Sequence, residues 1–318
     1  MPRIAITLGD PRGIGPEVVA GALADPGLRA AADYRILGPE GVPRPDGLDF
    51  ESVGSWHPAG GARLAGELAG RAIERAATLA LEGTVDAIVT APIHKPALNE
   101  AGYPWPGHTE MLRDLAQVAT TALCLAAERS ALGGPLRVVL VTGHLPLRDV
   151  ASAITRARLV ETGLLARDGL RRLWAIETPR LAVCGLNPHA SDGGLFGDEE
   201  ARIFAPALGE LRGLGVAADG PIPADTAFVR AGRGEFDAVL APYHDLGMVA
   251  IKTAAFGEAV NVTLGLPFPR TSPDHGTAFD IAGTGRADPR SMANAIARAV
   301  EFARRVARTG PPATRAHA

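Results

Sequence analysis

Cysteine is scarce in this sequence, with only Cys124 and Cys184 among 318 residues. Two thiols cannot build a disulfide framework or a cysteine-based zinc site. Each lies in an apolar, strand-like run, so both read as buried free thiols in a reducing compartment. Charge of one sign is also lacking: 32 Lys and Arg stand against 35 Asp and Glu, a formal net charge of −3. No basic stripe of the kind nucleic acid requires is present, and arginines in the helical stretches alternate with acids, as on solvated faces. No segment approaches the roughly 18 uninterrupted apolar residues of a membrane span. The opening MPRIAITLGD runs into Gly-Asp-Pro, not a cleavage site. A cytoplasmic protein with neither nucleic-acid nor membrane partners is expected. A G-x-G-x-x-G fingerprint is missing too: after the first apolar run, Gly9-Asp10-Pro11-Arg12-Gly13-Ile14-Gly15 puts proline where that motif needs a free turn.

What the chain has in quantity is glycine (38), proline (26) and apolar residues (47%). The glycines and prolines cluster at the ends of apolar runs, without repeats, as in a compact α/β protein with short connections. At roughly 150 residues per domain, about two domains fit the length. Strands are expected at 4–8, 86–90, 136–142, 181–186, 237–241 and 260–264. Helices are expected from Gly15-Pro16 onward, at 61–81, 108–117, 155–175, 197–211 and 289–307, with a polar, Pro-rich tail from Thr309 to Ala318 that frays. Strands that alternate with helices and read as unbroken apolar runs imply a mainly parallel sheet buried on both faces.

Three of the eight histidines end apolar strands: VVLVTGH at His144, VCGLNPH at His189 and AVLAPYH at His244. The carboxyl ends of parallel strands line one edge of a sheet, where ligands bind. Three imidazoles delivered there suit a catalytic divalent metal with an open position. A lone loop histidine is more often a hydrogen-bonded or surface group, but three at equivalent strand ends favour a shared site. Cationic and polar groups gather at other segment ends. Lys252 follows His244 by two helical turns, Asn261 lies in the next strand, and Arg270 follows Gly-Leu-Pro-Phe-Pro. His108 and Thr109 open a helix, whose free N–H groups favour an anion. Together they outline a phosphate or carboxylate pocket. Asp225, after the stiff Gly-Pro-Ile-Pro turn, either caps the helix beginning there or serves as a base or metal-side carboxylate.

The blocks ITLGDPRGIGPE, TAPIHKPALNEAG, GHTEML, TGHLPLRDV, GLNPHASDGGLFGDEE, GPIPADT, APYHDLGMVAIK and VNVTLGLPFPRTSPDHGTAFDIAGTGRAD run in order through nearly the whole chain. In these the sequence resembles the 4-hydroxythreonine-4-phosphate dehydrogenase family of pyridoxal phosphate biosynthesis. The resemblance implies a two-domain α/β fold like that of isocitrate and isopropylmalate dehydrogenases, with mainly parallel sheets and an active-site cleft between domains. Residues 1–130 with 282–318 would form a discontinuous first domain containing both termini. Residues 131–281 would form a second, carrying the metal ligands and the dimer interface. The implied active site lies at the interface of a homodimer.

The family's divalent metal ligands (for Zn²⁺, Mg²⁺, Mn²⁺ or Co²⁺) fall on His144, His189 and His244, two from one subunit and the third from the other. Its binding residues for a small phosphorylated substrate fall on His108, Thr109, Lys252, Asn261 and Arg270. Asp225 and Lys252 are the candidate catalytic groups. The run from His275 looks like the adenosine-binding loop of isopropylmalate dehydrogenases, which makes His275, Gly276 and Asp280 candidate contacts for NAD or NADP. Asp280 either bonds the ribose hydroxyls or caps a turn. The implied reaction oxidises 4-phosphooxy-L-threonine at C3 to 2-amino-3-oxo-4-phosphooxybutanoate, which decarboxylates to 3-amino-2-oxopropyl phosphate. Two stretches depart from the family pattern: Leu246 stands where a glutamine is usual after His-Asp, and Pro104-Trp105-Pro106 precedes the GHTE block. Alternative readings are a dehydrogenase of threonate or erythronate 4-phosphate, or of a dihydrodiol carboxylate. A phosphate acyltransferase is an alternative of another class.

Overall fold

The computed structural model describes residues 1–309, and these divide into two units: Met1–Thr121 with the chain from Leu266 onward, and Ala122–Gly265. The tail expected to fray lies, beyond Thr309, outside the described residues. Eleven strands are present: β1 (Arg3–Thr7), β2 (Asp33–Glu40), β3 (Asp49–Ser55), β4 (Ala87–Thr90), β5 (Ala122–Ala127), β6 (Leu136–Leu140), β7 (Arg180–Cys184), β8 (Ala217–Ile222), β9 (Ala238–Ala241), β10 (Val260–Leu264) and β11 (Arg270–Pro273). The unit boundaries fall earlier than residues 130 and 281, where the sequence reading put them. Pairing explains both shifts: β5 pairs with β10 and β6, which carries it into the second unit, and β11 pairs with β4, which carries it into the first.

In the first unit the strand order is β3-β2-β1-β4-β11, and every pair is parallel. The central strands are fully covered, with Ile4, Ile6, Ile88 and Val89 at 0% or close to it, as strands with helices on both faces must be. The helix Gly61–Leu81 buries Ala65, Ala69, Ala72, Ile73 and Ala76 along one stripe. Gly66 and Gly70 let neighbouring chain lie against it. A Cβ on Gly66 would sit 1.9 Å from the Ala97 carbonyl oxygen, and one on Gly70 would sit 2.2 Å from the Tyr103 ring. That close approach seats the short helix Lys95–Glu100, and so His94 and Lys95 just past β4. The last helix, Arg290–Thr309, buries Met292, Ala295, Ile296, Ala299, Val300, Phe302 and Ala303, a 3.6-residue repeat.

In the second unit the order is β10-β5-β6-β9-β7-β8. Here β5 runs antiparallel to β10 and β6, and the remaining pairs are parallel. The helix His244–Ala255 buries Ile251 and Ala255 and lies close on β6: a Cβ on Gly247 would meet Leu140 Cδ2 at 2.6 Å and Val138 Cγ1 at 3.0 Å. The helix Arg156–Trp174 starts where expected, with Thr155 Oγ1 accepting from the Arg158 N–H at 3.1 Å. Helix 197–211 of the sequence reading is instead a wide turn, Glu200–Phe204, followed by a regular helix, Ala205–Gly213. No helix among the described residues is long and apolar enough to cross a membrane.

Candidate functional site

Strands β6, β9 and β7 lie side by side and parallel, with β9 in the middle. His144, His244 and His189 follow their carboxyl ends, so all three leave the second unit's sheet at one edge. The rings of His144 and His244 meet, with centroids 4.6 Å apart. His244 Nδ1 lies 2.7 Å from Asp245 Oδ1, and with Nδ1 as donor the Nε2 lone pair is left for a ligand. Asp245 therefore supplies this outer bond, while Leu246, at the family's usual glutamine position, packs against the apolar core.

His189 is not brought to this pair. Among the described residues no group of three or more His, Cys, Asp or Glu is arranged to hold a metal. The His189 ring instead meets Phe196 edge-on, with centroids 6.3 Å apart. The physical reason is local. His189, Ala190, Ser191, Asp192 and Gly193 all have φ between 45° and 73°. Non-glycine residues in that region cost of order 1–3 kcal/mol each, so surrounding bonds must hold the turn. The carboxylate of Glu200 provides them: it accepts from the Leu186 N–H (2.8 Å), the Asn187 N–H (2.7 Å), the Asn187 side-chain amide (2.8 Å) and the Ser191 hydroxyl. Burial alone would raise the Glu200 carboxyl, but the bonds from Asn187 and Ser191 outweigh it and hold the group below its ordinary range.

Asp225 does not cap its helix. The cap position of Ala224–Gly232 is Pro223, with no side-chain bond, and Asp225 is an exposed residue of the first turn. Of its two readings, the capping one falls. Buried Cys184, at the end of β7, is pushed up to about 12 by burial, with the charges of Asp225 and Glu200 adding to the shift. Cys124 is likewise pushed up to about 12 by burial, so neither thiol supplies a thiolate. Lys252 is half-buried in the helix that starts at His244, and Asn261 is half-buried in β10 opposite Leu125 of β5.

In the first unit His108 and Thr109 open the helix His108–Leu115. His108 Nε2 is buried without a hydrogen-bond partner. Burial, then the charges of Arg270 and Lys95, hold this imidazole well below its ordinary value of 6.5, so it is neutral at pH 7. Arg270 is only 4% exposed; its Nε and Nη2 lie 3.1 Å and 2.6 Å from Thr90 Oγ1. Burial lowers its guanidinium to about 10, against the opposing charge of Glu110, and it stays protonated at neutral pH. The sequence reading missed Lys95, whose Cε would lie 3.4 Å from a Cβ on Gly107, next to His108. A lysine inside a Pro-containing loop gave no signal, since only the fold carries it to the helix start.

The loop after β11 places His275 half-buried, with Nδ1 3.1 Å from the Gly276 carbonyl and Nε2 buried without a partner. Gly276 and Asp280 are exposed, and Asp280 takes no hydrogen bond among the described residues, so its turn-capping alternative falls. This loop docks on the turn after β1. The Ile14 N–H donates to the Thr277 carbonyl (2.9 Å), the Gly283 N–H donates to Glu17 (2.8 Å), and the Arg12 guanidinium lies 5.1 Å from the Phe279 ring centre. Arg12 is itself fixed by buried Asp10 at 2.7 Å. The ITLGDPRGIGPE block thus buttresses this loop. Cavities of about 500 Å³ beside Arg180 and Arg230, and about 420 Å³ beside Leu28 and Arg304, involve none of these residues.

A mainly parallel α/β chain divided into two units is the architecture of the isocitrate dehydrogenase-like fold. An isocitrate dehydrogenase from Methylococcus capsulatus shares the fold at 18% identity, with a TM-score of 0.52 over 97% of this chain and 89% of that one. A 4-hydroxythreonine-4-phosphate dehydrogenase structure from Klebsiella pneumoniae is far more similar: TM-score 0.84 and 40% identity over 95% of this chain and 100% of that one. Among curated proteins, a 4-hydroxythreonine-4-phosphate dehydrogenase of Geobacter metallireducens is 44% identical, covering 95% of this chain and 96% of the relative. A D-threonate 4-phosphate dehydrogenase of Salmonella typhimurium is 40% identical, covering 94% and 98%. The model of the family described as pyridoxal phosphate biosynthetic protein PdxA matches residues 42–299. The chain belongs to this family and, with it, to the oxidoreductases.

The neutral state of His108 has a measurable consequence. Because its folded pKa is depressed, the unfolded chain binds a proton that the folded chain refuses once pH falls below about 6.5. The stability contributed by the neutral ring is present above that pH and declines below it. NMR titration of His108 is expected to show no protonation between pH 8 and 6. A midpoint at or above 6.5 would contradict the burial and charge argument.

Proposed function

We propose that the chain is a metal-dependent, NAD- or NADP-linked dehydrogenase of 4-phosphooxy-L-threonine, oxidising C3 to give a β-keto acid that loses CO₂. The observation that carries this reading is the anion-demanding cluster of the first unit. Buried Arg270, Lys95 and the orphaned Nε2 of His108 surround a helix start with Glu110 as the acid acting on Arg270. A phosphate would offer an acceptor oxygen to the orphaned His108 Nε2 and negative charge to Arg270 and Lys95. Arg270, His108, Thr109, Lys252 and Asn261 are assigned to binding the phosphorylated substrate.

The imidazole donor set fits a divalent metal. His144 and His244 approach as a pair, and Asp245 leaves one His244 nitrogen open. His144, His189 and His244 are assigned as ligands, two from one subunit and one from the other, which agrees with one chain pairing only two of them. When bound, such a metal supplies Lewis acidity toward a substrate oxygen, and the nicotinamide supplies the hydride acceptor. Asp225 and Lys252 are assigned to moving the hydroxyl proton. His275, Gly276 and Asp280 are assigned to the cofactor's adenosine end; exposed Asp280 fits ribose hydroxyls and repels a 2′-phosphate, which favours NAD.

A second reading has one specific support, the 40% identity to a D-threonate 4-phosphate dehydrogenase. A panel of phosphorylated hydroxy acids with NAD and NADP, followed at 340 nm, decides between them. Turnover of threonate 4-phosphate alone would overturn the first reading.

Three outcomes test the assignments. His189→Ala is expected to lose metal and nearly all turnover, and full activity of the parent protein after chelation would overturn the metal role. Arg270→Ala is expected to raise KM for the phosphorylated substrate at least tenfold, about the effect of one lost charge-assisted hydrogen bond, with little change in KM for NAD. Equal changes in both would remove Arg270 from phosphate binding. A homodimer is proposed because Leu145, Leu147, Leu195, Phe196 and Val249, neighbours in sequence of the three histidines, are all exposed. Activity is expected to fall with dimer content on dilution; a fully active monomer would contradict it.

A further inference from the structure

The carboxylate of Glu200 lies in no assigned site, yet it is among the most completely bonded side chains of the second unit. Its residue is 4% exposed and opens the wide turn Glu200–Phe204. Oε1 accepts the backbone N–H groups of Leu186 (2.8 Å) and Asn187 (2.7 Å). Oε2 accepts the Asn187 amide (2.8 Å) and faces the Ser191 hydroxyl, which is also 2.9 Å from the Gly197 carbonyl. The groups held at Glu200 come from both sides of His189: two residues before it and one after. Between them the backbone runs through its left-handed turn, and the turn is crowded from below, since a Cβ on Gly185 would lie 3.0 Å from Ala190 Cβ.

Every group that faces Glu200 is a donor. A carboxylate meets that demand on both oxygens, whereas a glutamine of the same shape would turn one oxygen into an NH₂ facing donors. The bonds therefore select an ionised glutamate, not merely a side chain that fills the space. We propose that Glu200 is the positioning residue for His189: its carboxylate clamps Leu186, Asn187 and Ser191 so that the strained turn presents the imidazole in one orientation to the metal. This rests on the reading of His189 as a ligand. The conformation is unfavourable for His189, Ala190, Ser191 and Asp192, so without the clamp the turn relaxes and the ligand geometry goes with it.

The test uses Co²⁺ as the probe, titrated into the full-length dimer after metal removal, with affinity from calorimetry and coordination from visible absorption. Glu200→Gln is expected to bind Co²⁺ about 10–100-fold more weakly, the range for loss of an outer support of a metal ligand, and to alter the cobalt spectrum. Hydrogen exchange at the Leu186 and Asn187 amides should quicken in the same variant. A Glu200→Gln protein with wild-type cobalt affinity and spectrum overturns the proposal. His189→Ala runs alongside: if it too binds cobalt like the parent, the ligand reading is what fails. Should Glu200→Gln not fold, Ser191→Ala removes one donor and keeps the carboxylate. It is expected to show a smaller loss of the same kind, and unchanged cobalt binding there overturns the proposal equally.

Discussion

Because β9 runs parallel to both β6 and β7, the chain segments that follow these three strands must leave the second unit at one edge of its sheet. Everything at the histidine end follows from that constraint. His244 starts a helix that Gly247 allows to lie close on Leu140 and Val138, so its ring is held from the moment the strand ends. His144 follows the neighbouring strand through a short glycine turn and meets the His244 ring. His189 departs from the third strand into a turn that ordinary backbone preferences oppose, and a buried carboxylate overrules them. Parallel pairing sets where the three histidines emerge; local bonds decide which of them meet inside one chain.

The first unit shows the complementary electrostatic logic. Arg270 is buried against the Thr90 hydroxyl, and its positive charge, with that of Lys95, depresses His108. Cations gathered this way repel each other, and burial and that repulsion together keep the imidazole neutral. The loop from His275 to Gly285 is held by different means. It leans on the turn after β1 through two backbone donors and the stacking of Arg12 on Phe279. Buried positive charge and a braced loop thus occupy separate strand ends of the same parallel sheet.

The long, doubly buried strands were legible because their apolar runs are unbroken, and so were the helices at 61–81, 155–175 and 289–307, because their periodicity is strong. β2 and β3 escaped notice: Asp33–Glu40 contains Gly38-Pro39, and Asp49–Ser55 is a half-exposed edge strand with charged residues. β8 and β11, rich in glycine, proline and polar residues, are strands only because their partners hold them. The strand-end positions of the histidines could be read from spacing, and so could the helix that starts at His108. Glu200 could not. A glutamate in Gly-Asp-Glu-Glu looks like a solvated helix entry until the chain folds four donors onto it. Nor could the docking of Arg12 and Glu17 on the 275–285 loop be seen, since that contact joins the two ends of the sequence.

The interrupted layout of the first unit bears on how the chain is made. Strand β11 and the helix Arg290–Thr309, which cover β4 and β1, are encoded after the whole of the second unit. On the ribosome, residues 122–265 emerge complete while Ile4, Ile6 and Ile88 still lack their covering helix. The second unit can therefore reach its native packing first, and the N-terminal strands must wait until β11 and that helix are made. For that interval their apolar face stays uncovered, and the helix Arg290–Thr309 is what buries it.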